Sequence, residues 1–199
     1  MSVAQARALT AHGARDDMAV HLDWIETYLM QGHPDLGRPG AVCPFTRQAA
    51  RLDTVRVAIS RIDPEDDSAA LALVRRSFAE LDAIACKPGM EHFRTVIIGF
   101  PRCGTAEGVA MLKAVQRAHR FHSLRRGRMI GLMHAQSEDE GLWNKAFRPL
   151  RAPMPVLAVR HMVEQDAPFA ALHPALMLAY LGRYPLKGTR RLIGHWRGR

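Results

Sequence analysis

The stretch "FRTVIIGF", Phe93 to Phe100, decides the fold. Its β-branched and apolar residues run on without the alternation of a half-exposed strand, and Pro101 ends the run. A continuous run of this kind predicts an interior strand covered on both faces. Such a strand needs helices above and below it, and the flanking sequence supplies them. Upstream, "TVRVAISRI" alternates Val55, Val57 and Ile59 as a half-buried strand. The intervening "PEDDSAALALVRRSFAELDAIA" opens on Pro64 and three acids and then places Leu71, Val74, Phe78 and Leu81 at helical spacing. Downstream, "GTAEGVAMLKAVQRAHRFH" predicts a long helix with Thr105 as its cap and Val109, Leu112, Val115 and His119 along one face.

Farther out, "RMIGLMH" and "PVLAVRHM" read as two more strands, separated by the polar loop "AQSEDEGLWNKAFRPLRAPM". Asp16 and Asp17 cap a helix through "MAVHLDWIETYLMQ", which must stop by Gly32. The Pro/Gly-rich "HPDLGRPGAVCPF" then leads to a short helical turn, "TRQAARL". "DAPFAAL" and "PALMLAYLGRY" add two helices at the other end. The expected fold class is α+β (or α/β): a single domain with a small central sheet of about four strands and helices packed around it. The expected organisation is a flexible N-terminal segment over 1–15, the domain over 16–186 and a basic C-terminal tail over 187–199. Strand pairing is left open by these patterns.

A chain of 199 residues with 48% hydrophobic content can bury one core. No stretch approaches the roughly 20 apolar residues of a membrane span, and the N-terminus has no secretory apolar region, so a cytoplasmic protein with no membrane partner is expected. The three cysteines, Cys43, Cys86 and Cys103, are widely spaced and support neither a disulfide framework nor a zinc finger. The net charge of +9 is carried almost wholly by arginine, since lysine stands only at Lys87, Lys113, Lys145 and Lys187. No nucleic-acid motif accompanies it, and nucleic acid is not the expected partner.

Several residues could carry chemistry. "FPRCGTAEG" places a loop and a helix start after a strand, as in a phosphate cradle, yet it lacks the glycine spacing and Lys-Ser/Thr of a nucleotide loop. His119 and His122 share a helix face, among arginines that repel a cation. His134 and His161 each terminate a strand, where ligand pockets form. His161 with Arg160 and Asp166 makes a set able to hold a substrate carboxylate, or else Arg160 and Asp166 form a structural ion pair. Pro44 biases Cys43 toward extended geometry, which suits thiolate ligation, while the apolar neighbours in "AVCPF" suit packing. In the long loop, Trp143, Asn144, Phe147 and Arg148 either recognise a substrate or form a partner-binding surface.

Taken together, "HPDLGRPGAVCPF", "VIIGFP" and "RMIGLMHAQSEDEGLWNKAFRPLRAPMPVLAVRHMVEQDAPF" resemble an uncharacterised bacterial domain family found near natural-product biosynthesis genes. The likeness covers roughly His33 to Tyr184. More distantly the chain resembles the YqcI/YcgG family of haem-dependent N-oxygenases, through Cys43, Pro44 and Phe45 and through "GLMHAQS". That resemblance implies haem as cofactor, His134 as its axial iron ligand, and arginines such as Arg148, Arg151 or Arg160 for the propionates. Cys43, Phe45, Trp143, Asn144, Phe147, His161 and Asp166 are the further pocket candidates. The expected function is a haem-binding oxidative enzyme acting on an amine-containing small molecule in specialised metabolism, served by a redox partner. The alternatives are a non-enzymatic protein that binds a small molecule or anion, and a hydrolase or transferase using Cys43.

Overall fold

The computed structural model describes residues 1–10, 16–171 and 174–197. Its centre is one four-stranded sheet, β1 (Val55–Ile59), β2 (Thr95–Gly99), β3 (Arg128–Met133) and β4 (Val156–His161), in the order β1-β2-β4-β3. β1 and β2 are parallel, with Val57 opposite Ile97; β4 runs antiparallel to both of its neighbours, pairing Ile97 with Ala158 and Gly131 with Ala158. The continuous apolar run is therefore interior, as its pattern predicts: Val96, Ile97 and Ile98 are all buried. The fold is α+β, with the sheet held between helices.

One face is covered by α4 (Asp67–Ala83) and α5 (Ala106–Arg125). Val74, Phe78 and Leu81 of α4 and Leu112 and Val115 of α5 pack on Val96, Ile98, Ile130, Leu132, Leu157 and Val159. Asp66 caps α4 by accepting from the Ala69 amide at 2.9 Å. The opposite face is covered by α1 (Val3–Thr10), α2 (Asp17–Trp24) and α3 (Thr46–Arg51), whose Ala6, Leu22, Trp24 and Ala49 meet Val55, Val57, Ile97, Met133 and Val156. Asp16 caps α2 through the Ala19 amide. α2 then widens into a π turn over Ile25–Leu29, closed by the Met30 amide on the Ile25 carbonyl. A third cluster, Met162, Ala167, Ala170, Leu176, Tyr180 and Leu192, is built by α6 (Ala167–Ala170), α7 (Pro174–Arg183) and α8 (Pro185–Arg197).

The chain ends differ from the sequence expectation. Within the segment expected to be flexible, Val3–Thr10 is α1, Ala6 is fully buried, and Ser2 bridges Arg56 on the free edge of β1. Capping an exposed strand edge in this way removes a pairing surface. Residues 11–15 lie outside the described residues, as do Leu172, His173 and positions 198–199. Within the segment expected to be a tail, Pro185–Arg197 is α8, and Leu192 is buried to 2% exposure. Leu192 is the α8 side chain seated in the third cluster, and it docks a helix that otherwise presents mostly exposed residues, many of them basic. No described helix is long and apolar enough to cross a membrane.

Candidate functional site

The long loop between β3 and β4 folds back over the π turn and leaves a cleft of about 760 Å³ between them. That is the size of a small-molecule site. The helix supplies Trp24 and Tyr28, the following loop supplies His33 and Asp35, and the β3–β4 loop supplies Ala135, Asn144, Ala146, Phe147, Arg148 and Arg151. The rings are contiguous. Trp24 stacks on Tyr28 at 6.2 Å, Tyr28 meets His33 edge-on at 6.2 Å, and His33 lies 4.6 Å from Phe147.

Local hydrogen bonds hold this wall in place. Trp24 Nε1 donates to the Arg151 carbonyl at 3.2 Å and Tyr28 Oη to the Pro149 carbonyl at 3.3 Å, so the two helix rings anchor the loop they face. Asn144 Nδ2 donates to the Asp35 carbonyl at 2.8 Å, tying the loop tip to the His33–Asp35 turn. Gly37 lies under this tip at φ 76°, and a Cβ there would meet Trp143 at 3.1 Å, so a side chain is excluded on two counts. Burial pushes the Tyr28 phenol up, with Arg151 opposing it. The Tyr28 hydroxyl is therefore an un-ionised donor.

Two arginines stand at the rim. Arg148 Nε lies 3.3 Å and Arg151 Nη2 2.9 Å from the same carboxylate, Glu138, and Arg151 Nε donates to the Ser137 carbonyl. Hydrogen bonds from Arg148 and then Arg151 lower the pKa of Glu138, which stays ionised and aligns both guanidinium groups. Arg148 Nη1 also donates to the Lys145 and Phe147 carbonyls, which leaves Arg148 Nη2 and Arg151 Nη1 with donors to offer. The site is thus an aromatic slot with a cationic rim.

His33 presents one polar edge to the slot. Its Nδ1 accepts from the Asp35 amide at 3.2 Å, which places the proton of the neutral ring on Nε2. Such a ring donates to a ligand rather than coordinating a metal, since a metal-bound imidazole donates from its second nitrogen.

Among the residues expected from sequence, Asn144, Phe147 and Arg148 line the cleft. Trp143, 69% exposed, projects outside it. His134 follows β3 directly, but it is not part of the lining; its neighbour Ala135 is. Strand alternation explains this: Met133 joins the cluster under α2, while Leu132 and His134 turn toward α5 and Lys113. Burial, reinforced by Lys113, lowers the His134 pKa, and its Nδ1 is buried without a hydrogen-bond partner. Arg160, His161 and Asp166 lie at the far end of β4, about 17 Å along the strand from Val156 at ordinary strand rise. There Asp166 accepts from both Arg160 Nη atoms, at 2.8 and 2.6 Å, and from the Val163 amide. This is the structural ion pair. Arg160 also lies over the Phe45 ring, 6.0 Å from its centroid, and Phe45 packs near Phe93. Cys43 is half-buried against the α2 cluster, its amide donating to the Leu29 carbonyl.

The structure therefore does not bring His134, Arg148 and Arg160 to one place. It brings Arg148 to Arg151 and to four rings, three of which sequence reasoning did not single out as site residues. Trp24 and Tyr28 were hidden because their spacing of four on an amphipathic helix reads as core.

The profile of a family described as a domain of unknown function, DUF6875, matches residues 18–192, and the chain belongs to that family. No curated protein and no solved structure matches it.

Proposed function

We propose that this member of the DUF6875 family binds a flat, apolar, anionic small molecule in the cleft. The observation that carries the reading is the pairing of contiguous rings, Trp24, Tyr28, His33 and Phe147, with Arg148 and Arg151 on one rim. Rings recognise a planar apolar body through stacking. Arginine forks recognise carboxylate, sulfonate or phosphate oxygens. His33 Nε2–H adds a donor at the slot edge. Asp35 lies on the same lining, so an amine carried by the ligand would meet a carboxylate there.

Titration with anilinonaphthalene sulfonate, a planar apolar anion, followed by fluorescence tests this directly. Saturable 1:1 binding is expected, weakened about tenfold or more by Arg148→Ala combined with Arg151→Ala, because a charged hydrogen bond contributes about 1.5 kcal/mol or more. Unchanged affinity in that variant, with an unaltered melting temperature, would remove the cleft from consideration.

Haem belongs to the same chemical class, a plane with carboxylate arms, and the resemblance to haem-dependent N-oxygenases points to it. The residues fit only in part. Arg148 and Arg151 suit propionates, but His134 does not line the cleft, Arg160 is committed to Asp166, and His33 is in the wrong tautomer for a ligand. The oxidative reading is kept as a second one by a single observation, the buried His134 imidazole whose Nδ1 has no partner. Burial favours its neutral form, which is the ligating form. A role in natural-product biosynthesis belongs to this second reading.

A further inference from the structure

The opposite end of the sheet carries a different cluster. Arg128 opens β3 directly across from His161, which ends β4. Thr95 opens β2 across from Arg160, so Arg94, one residue earlier, continues that register beside His161. Three adjacent strands thus deliver Arg94, His161 and Arg128 in one row. Arg183, from the end of α7, completes the set by lying against Gly127: a Cβ at that position would stand 2.5 Å from Arg183 Nη1. Gly127 has φ 64°, so the turn before β3 is glycine-dependent on both counts.

The row is short of acceptors. Arg128 is buried to 8% exposure, and its Nη2 pairs with Asp82 of α4. Its Nε and Nη1 are buried with no hydrogen-bond partner, as are Arg94 Nε and His161 Nε2. An arginine cannot discharge this deficit by losing its proton, and each buried donor left without an acceptor is costly. Asp82, about half exposed, and Glu91 are the carboxylates facing the row, against three guanidinium groups and the nearby Arg75 and Arg126. The Phe78 ring backs Arg128 at 5.6 Å from its centroid, closing the inner side with an apolar surface.

We propose that Arg94, Arg128, His161 and Arg183 form a second binding site, for a phosphate-class oxyanion, independent of the aromatic cleft at the other end of the sheet. Tetrahedral oxyanions offer several acceptors at once and match arginine geometry. The surplus of positive charge draws them in. Asp82 stands at the mouth, where it competes with the ligand for Arg128. Exposed Arg183 closes over the bound group.

Calorimetric titration of the full chain with inorganic phosphate and with pyrophosphate, at constant ionic strength, tests the site. Saturable 1:1 binding is expected. Arg183→Ala is expected to weaken it about tenfold, the cost of one charged contact, and Asp82→Asn to tighten it by a similar factor. Both substitutions also change the net charge by one, so Arg61→Ala, an exposed arginine at the other end of the sheet, is the control: general surface attraction would weaken binding there as well, whereas the site predicts no change. Saturating phosphate leaves the cleft's affinity for anilinonaphthalene sulfonate unchanged, so failure of either site is read separately. Absence of saturable phosphate binding overturns the proposal, as does binding that neither substitution alters. Should Asp82→Asn fail to fold, the Arg183→Ala shift, at a residue on the surface, decides.

Discussion

His21 shows how much one side chain can set. It is fully buried in α2 between Gly99 and Trp24, and neither ring nitrogen finds a full hydrogen-bond partner. Burial pushes its pKa down to about 4, and the Ile97 backbone offsets only part of that. The unfolded chain takes up this proton near pH 6.5, whereas the folded chain refuses it until about pH 4. Unfolding free energy therefore falls as pH drops through this window, by up to about 1.4 kcal/mol per pH unit and about 3 kcal/mol in all. Urea unfolding between pH 7 and pH 4.5 should show this slope and show it reduced in His21→Leu. Equal slopes in the two proteins would mean that His21 is hydrated or paired. The residue scale also marks where sequence reading stopped. That His134 ends a strand was legible; that it turns toward Lys113 while Ala135 enters the cleft depends on which face each helix covers.

At the scale of elements, most of the architecture was legible because each signal was local. β2 is a continuous apolar run, α4 begins with acids and carries its apolar residues at helical spacing, and β1 alternates. The strand order was not, because β4 inserts between β2 and β3 through pairings such as Ile98 with Leu157, nearly sixty residues apart. α8 was missed for a different reason. Its arginines and glycines read as a solvated tail, while its contribution to the core rests on Leu192 inside the third cluster. Leu192→Ala should therefore cost about 2 kcal/mol or more, as for other buried leucines, and lower the melting temperature by several degrees. A neutral result would return residues 187–197 to the status of an appendage.

At the scale of the molecule, the sheet separates two chemistries. Past the end of β3 lies the aromatic slot with Arg148 and Arg151, for which flat, anionic ligands are proposed. At the start of β3 lies the row of Arg94, Arg128, His161 and Arg183, the proposed oxyanion site. The cleft was only half visible beforehand: Asn144, Phe147 and Arg148 announced themselves as a polar-aromatic loop, but their partners Trp24 and Tyr28 reach them only once α2 packs beneath that loop.

The measurement that reaches the central claim most directly is a haemin titration of three proteins, followed by absorbance and by quenching of tryptophan emission: the wild type, Arg148→Ala with Arg151→Ala, and His134→Ala. The cleft account predicts saturable binding in the wild type, retention of binding and of the Soret position in His134→Ala, and a loss of about tenfold or more in affinity in the arginine pair. Binding that survives removal of both arginines while His134→Ala abolishes the Soret shift would contradict it, and would place the ligand on the other side of β3.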